Sequence, residues 1–197
     1  TVYYKIMLID NLKTYITGRR GVRLGNSTVA DLYTSAIGAT SMSDLFLTDS
    51  ELQNGHQCLS IATPGETIDQ QRTAWNALTN HSQYDYVFIR VGLNDVDPAI
   101  ATATTIAAYQ QLVDDIRADA SDIIIIAEKL TPAKAAWASR YPGNEVAAQQ
   151  KWVDINISIG GGGGSPITGV DYRIGDYVAL LDDGAGNLAA AYDQGDG

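Results

Sequence analysis

The chain has 197 residues, of which 45% are hydrophobic and 18% charged, and a formal net charge of −10. This length suits one domain able to bury a core without covalent staples, and the composition excludes the low-hydrophobicity signature of disorder. The acidic balance excludes a surface built for nucleic acid or an anionic membrane, either of which needs a basic patch.

In chain order, residues 1–18 hold a candidate strand at 2–9 and a short helical turn at 11–16, and are set apart as a lead-in or the end of an upstream module. Neither an initiator Met nor a signal-peptide pattern opens the chain, so it reads as a piece of something longer or a processed product. A domain is expected over residues 19–197. Its first strand, 22–24, ends at Gly25, and a helix is expected over 28–46 with Val29, Leu32, Tyr33, Ala36 and Ile37 on one face. The second strand, 58–62, ends at Thr63-Pro64-Gly65. It opens with Cys58, the single cysteine, which reads as a small buried hydrophobe and allows no intrachain disulfide. A helix over 66–78 carries Ile68, Trp75 and Leu78, and the third strand, 84–91 (YDYVFIRV), ends at Gly92. A helix over 104–118 carries Ile106, Tyr109, Leu112, Val113 and Ile116, ahead of a fourth strand at 123–127 whose continuous β-branched run predicts cover on both faces. A further helix is expected over 145–155, with Trp152 on its apolar side, and a fifth strand at 177–181. The glycine run at 160–164 reads as a connection. It has no Lys-Ser/Thr after it and no strand feeding a helix, so a phosphate cradle is disfavoured. No apolar stretch approaches the roughly 20 residues of a membrane span. Alternating strands and helices predict an α/β fold, a three-layer α/β/α sandwich with a flavodoxin-like parallel sheet of about five strands.

Ligands of such sheets bind beyond the carboxyl ends of the strands. There this sequence places Gly25-Asn26-Ser27-Thr28, then Gly65, then Gly92-Leu93-Asn94-Asp95. A serine at a strand-to-helix junction exposes its hydroxyl, and its own N–H belongs to the donor-rich start of a helix. A glycine turn presents a bare backbone N–H, and an asparagine carboxamide adds another donor. Three donors aimed at one point form an oxyanion hole for acyl transfer. Taken singly, Ser27 reads as a helix N-cap, Gly65 as a turn, and Asn94-Asp95 as a cap pair; their order at three successive strand ends favours the catalytic reading. A metal site at Asp95 and Asp97 lacks further ligands.

These segments resemble the three conserved blocks of the SGNH, or GDSL-like, serine hydrolases, with YDYVFIRVGLND the nearest local match and Asn26 standing where the family usually has Asp. The resemblance implies Ser27 as nucleophile, with its N–H, Gly65 and Asn94 as the oxyanion hole, and no cofactor or metal. It also implies a last block of the form Asp-x-x-His. The terminal Asp196-Gly197 looks like the first half of that block, which makes Asp196 the candidate carboxylate and leaves the histidine and a closing helix missing. The two histidines present, His56 and His81, precede the second and third strands and are expected at the wrong end of the sheet. The implied activity is hydrolysis of a carboxylic ester through an acyl-serine, on a small-molecule or carbohydrate ester, an O-acetyl sugar being favoured. The alternative is an inactive SGNH-fold domain that binds carbohydrate or builds a larger extracellular or virion fibre, with flanking modules.

Overall fold

The computed structural model describes residues 20–25, 57–131 and 133–175. Within them run β1 (Arg20–Gly25), β2 (Gln57–Ser60), α1 (Ile68–Asn76), β3 (Tyr86–Arg90), α2 (Thr102–Asp119), β4 (Ile124–Glu128), α3 (Lys134–Arg140), α4 (Glu145–Ile159) and β5 (Tyr172–Ile174). All strand pairings are parallel, in the order β2-β1-β3-β4-β5. This is the flavodoxin-like order. The chain leaves β1 to one side for β2, then crosses back over β1 to β3, and the ligand crevice of such sheets lies at this switch point, beyond the ends of β1 and β3.

Side-chain alternation divides the sheet into two apolar faces. One carries Val22 and Leu24 of β1, Val87 and Ile89 of β3, and Ile125 and Ala127 of β4. It packs against Ile68 and Trp75 of α1, Tyr109, Leu112, Val113 and Ile116 of α2, and Trp152, Ile155 and Ile159 of α4. The other carries Tyr86, Phe88, Ile124 and Ile126, with Tyr172 and Ile174 against them. Every residue of β3 and β4 is buried, so both faces are covered, as a three-layer sandwich requires. Gly21 is obligatory for this packing. A Cβ there would stand 2.0 Å from the ring of Tyr86, its partner on β3, so the absent side chain is what lets the ring lie across β1.

The expected strands at 22–24, 58–62, 84–91 and 123–127 and the helices at 66–78, 104–118 and 145–155 are present, with boundaries shifted by a few residues. Two elements differ. A fifth strand forms at Tyr172–Ile174, ahead of the expected run at 177–181, which lies outside the described residues. It is a three-residue edge strand, half-buried throughout, and has no apolar run to betray it. Helix α3 was not expected either, because it presents only one fully buried large residue, Trp137, to the core. The glycine run at 160–164 is a loop between α4 and β5. The expectations for residues 1–18, the helix at 28–46, the side chain of Cys58, and Ser27, His56 and Asp196 all fall outside the described residues.

Candidate active site

Three strand ends meet at the crevice. Gly25 closes β1, opposite Arg90 of β3. Past β2 the chain continues alongside β1, Ile61 N–H donating to Arg23 O (3.0 Å) and Thr63 N–H to Gly25 O (3.2 Å), which carries Pro64-Gly65 just beyond the end of β1. Gly65 is exposed with φ 80°, and an added Cβ would touch nothing. Glycine is therefore required there by backbone conformation alone. Gly92, at φ 121°, turns the chain out of β3 into the 3₁₀ turn Leu93–Asp95.

A polar web ties these ends together. The Asn94 carboxamide donates from Nδ2 to Glu66 O (2.9 Å) and accepts at Oδ1 from Arg140 Nη1 (3.3 Å). The next residue, Asp95, accepts the Ile68 N–H on its two oxygens at 3.3 and 3.1 Å, and so caps the start of α1. Thr67 and Gln70 close a capping box at the same helix end. Gln71, with no solvent exposure, accepts the Gly25 N–H (2.7 Å) and donates to Ile61 O (3.1 Å) and to the Glu66 carboxylate. Among the described residues no acceptor takes the Gly65 N–H or the second Nδ2 hydrogen of Asn94.

Below the loop after Asp95, the buried Lys151 of α4 donates to Asp97 O (2.9 Å) and Ile100 O (3.0 Å). Desolvation pushes the Lys151 ammonium pKa down, against the pull of Asp97 and Asp95. Burial likewise pushes Asp95 up to about 6, opposed by the Ile68 N–H and the Lys151 charge. On the far face, Arg90 and Glu128 form an ion pair (3.9 Å) in the row that contains Gly25.

The sequence-derived residues thus divide. Gly65 and Asn94 come together at the carboxyl edge, one residue apart through the Asn94–Glu66 bond. Ser27 and Asp196 lie outside the described residues. His81 sits before β3 at the opposite end of the sheet. Its ring stacks on Trp75 (4.5 Å) and its Nε2 donates to Trp75 O (3.0 Å). Among the described residues no three His, Cys, Asp or Glu side chains converge as metal ligands, and no helix is long and apolar enough to cross a membrane. Sequence reasoning missed Gln71, although a polar residue spaced between Ile68 and Trp75 on an apolar face was a readable signal. It also missed Arg140, which lies 46 positions from its partner Asn94 and had no such signal.

The fold is a flavodoxin-like parallel α/β domain whose switch point collects a glycine N–H without an acceptor among the described residues and a carboxamide held at two points. The chain belongs to the GDSL-like Lipase/Acylhydrolase family, whose model matches residues 24–181. Among solved structures it is similar to a GDSL-like lipase from Bacteroides thetaiotaomicron, with 16% identity, TM-score 0.62, and 95% of this chain and 85% of that one covered. It is also similar to the lipase/acylhydrolase from Enterococcus faecalis, with 19% identity, TM-score 0.56, and 83% and 78% covered. No curated protein matches the sequence.

Proposed function

We propose that the chain is a serine-dependent carboxylic-ester hydrolase, with Ser27 as nucleophile, Gly65 N–H, Asn94 Nδ2–H and the Ser27 N–H as oxyanion donors, and Asp196 as the carboxylate that orients the general base. The observation that carries the reading is the pair of donors without acceptors among the described residues, Gly65 N–H and the second Asn94 Nδ2 hydrogen, joined through Glu66 at the end of β1. Ser27 follows Gly25 by two residues, about 7 Å of chain at full extension, so it starts within reach of the same crevice.

In the forward step the Ser27 hydroxyl oxygen bonds to the ester carbonyl carbon while its proton passes to the base. The carbonyl oxygen takes up the negative charge, which the donors stabilise. Collapse expels the alcohol, which takes the proton back from the base. Water then repeats the sequence on the acyl-serine and releases the carboxylic acid.

Membership in a family of lipases and acylhydrolases favours this reading over an inactive carbohydrate-binding or structural domain. Within the class we favour a short acyl group on a carbohydrate. The described rim carries the polar side chains of Thr63, Glu66, Asn94 and Arg140, which suit a hydroxyl-rich substrate.

The test is hydrolysis of p-nitrophenyl acetate and of acetylated sugars by the full-length protein. Ser27→Ala is expected to remove turnover, Asn94→Ala to lower kcat by about 10²–10³-fold, and Asp196→Ala to lower kcat as well. Turnover that survives Ser27→Ala overturns the assignment of the nucleophile. Faster cleavage of long-chain than of acetyl esters overturns the substrate class alone.

A further inference from the structure

Asn94 is held at two points. Glu66 O has only lone pairs and the Arg140 guanidinium has only donors, so the chemistry admits a single orientation of the carboxamide: Nδ2 toward Glu66 (2.9 Å) and Oδ1 toward Arg140 (3.3 Å). The torsion that rotates a terminal amide is soft and roughly two-fold. One hydrogen bond leaves the amide plane free to swing about the contact, and a second on the opposite atom fixes it.

Arg140 comes from outside the three strand ends. It is the last residue of α3, and Trp137, one helical turn earlier and fully buried, anchors that helix, with its indole N–H donating to Gln149 of α4 (3.0 Å). Its exposed guanidinium has no other hydrogen-bond or ion-pair partner among the described residues. A cation on Oδ1 also draws electron density through the amide, which makes the Nδ2 hydrogens stronger donors. The Nδ2 hydrogen without an acceptor is the one assigned above to the oxyanion.

Resting on the hydrolase reading, we infer that Arg140 is a positioning residue. It locks and polarises the Asn94 carboxamide so that the free Nδ2–H faces the developing oxyanion, and it makes no contact with substrate. This predicts that Arg140→Ala lowers kcat for p-nitrophenyl acetate by about tenfold or more, with KM changed less than about twofold, because the donor acts in the transition state rather than in binding. Arg140→Lys, which keeps a cationic donor, recovers most of the loss. In the Asn94→Ala background, Arg140→Ala has no further effect, since the residue it positions is gone.

A second readout needs no turnover. The side-chain amide ¹H–¹⁵N pair of Asn94, assigned by its disappearance in Asn94→Ala, is expected to move toward free-amide positions and exchange faster in Arg140→Ala than in the wild type. Unchanged Asn94 resonances overturn the inference. So does a kcat loss of the same size in the Asn94→Ala background, or a KM effect that appears only with anionic esters, which makes Arg140 a substrate contact. Absence of Ser27-dependent turnover in the wild type overturns the hydrolase reading and the catalytic half of this inference, while the resonance shift still decides whether Arg140 orients Asn94.

Discussion

Asp95 shows how a single half-buried carboxylate couples the site to pH. Burial raises its pKa from 3.8 to about 6 against the opposing Ile68 N–H and Lys151. The folded state therefore holds this proton more tightly than the unfolded chain. The stabilisation from protonation is fully present below about pH 4 and is lost as pH rises through about 6, and it is worth at most about 3 kcal/mol. Asn at this position mimics the neutral acid and still accepts the Ile68 N–H. Asp95→Asn is thus expected to be more stable than the wild type at about pH 7.5, and that advantage should shrink toward about pH 5. Urea unfolding at the two pH values checks this, and a gap that does not change with pH would show that Asp95 does not titrate in that range.

At the scale of elements, α1 organises the crevice. Its N-terminus takes Asp95 from the loop after β3, and its buried Gln71 grips the end of β1 and the segment after β2. Replacing Gln71 by Leu preserves bulk but leaves the Gly25 N–H and Ile61 O without this partner, at a cost of about 1–3 kcal/mol for each group that stays dry. Gln71→Leu is expected to lower the unfolding free energy by about 2–4 kcal/mol in denaturant titration. It should also reduce Ser27-dependent turnover under conditions where the variant is fully folded, because the end of β1 precedes the proposed nucleophile. A stability loss with no change in turnover would confine Gln71 to a packing role.

For the molecule as a whole, stability follows burial on both faces of the sheet. β3 and β4 are buried at every position, whereas β5 is a three-residue edge strand only half-buried. Hydrogen exchange followed by mass spectrometry should therefore find the β3 and β4 amides opening only with global unfolding. The β5 amides should open locally, at lower free energy. Equal protection of β5 and β3 would contradict this ordering. The same gradient sets the rigid strands β1 and β3 beneath the crevice and leaves the exposed Gly65 turn and Arg140 at its rim.

How much of this was legible in the sequence depends on the range of the forces involved. The runs YDYVFIRV and IIIIA announce the buried strands β3 and β4 because side-chain alternation and burial are properties of consecutive residues. Glycines followed by polar residues at strand ends likewise announce turns that expose donors, which is how Gly65 and Asn94 were read. The short edge strand β5 and helix α3 were illegible, since each presents too little apolar surface to leave a period. The web around the donors was beyond reach for a different reason. Gln71 meets Gly25 across 46 positions and Arg140 meets Asn94 across another 46, and no local pattern encodes which distant partners a polar side chain finds. By itself the sequence determined the parallel α/β sheet and the glycine turn and carboxamide that stand at its carboxyl edge, because both follow from local pattern. Only the tertiary structure decided which side chains hold the donors in place, because hydrogen bonds between distant residues exist only once the sheet order β2-β1-β3-β4-β5 has brought the strand ends together.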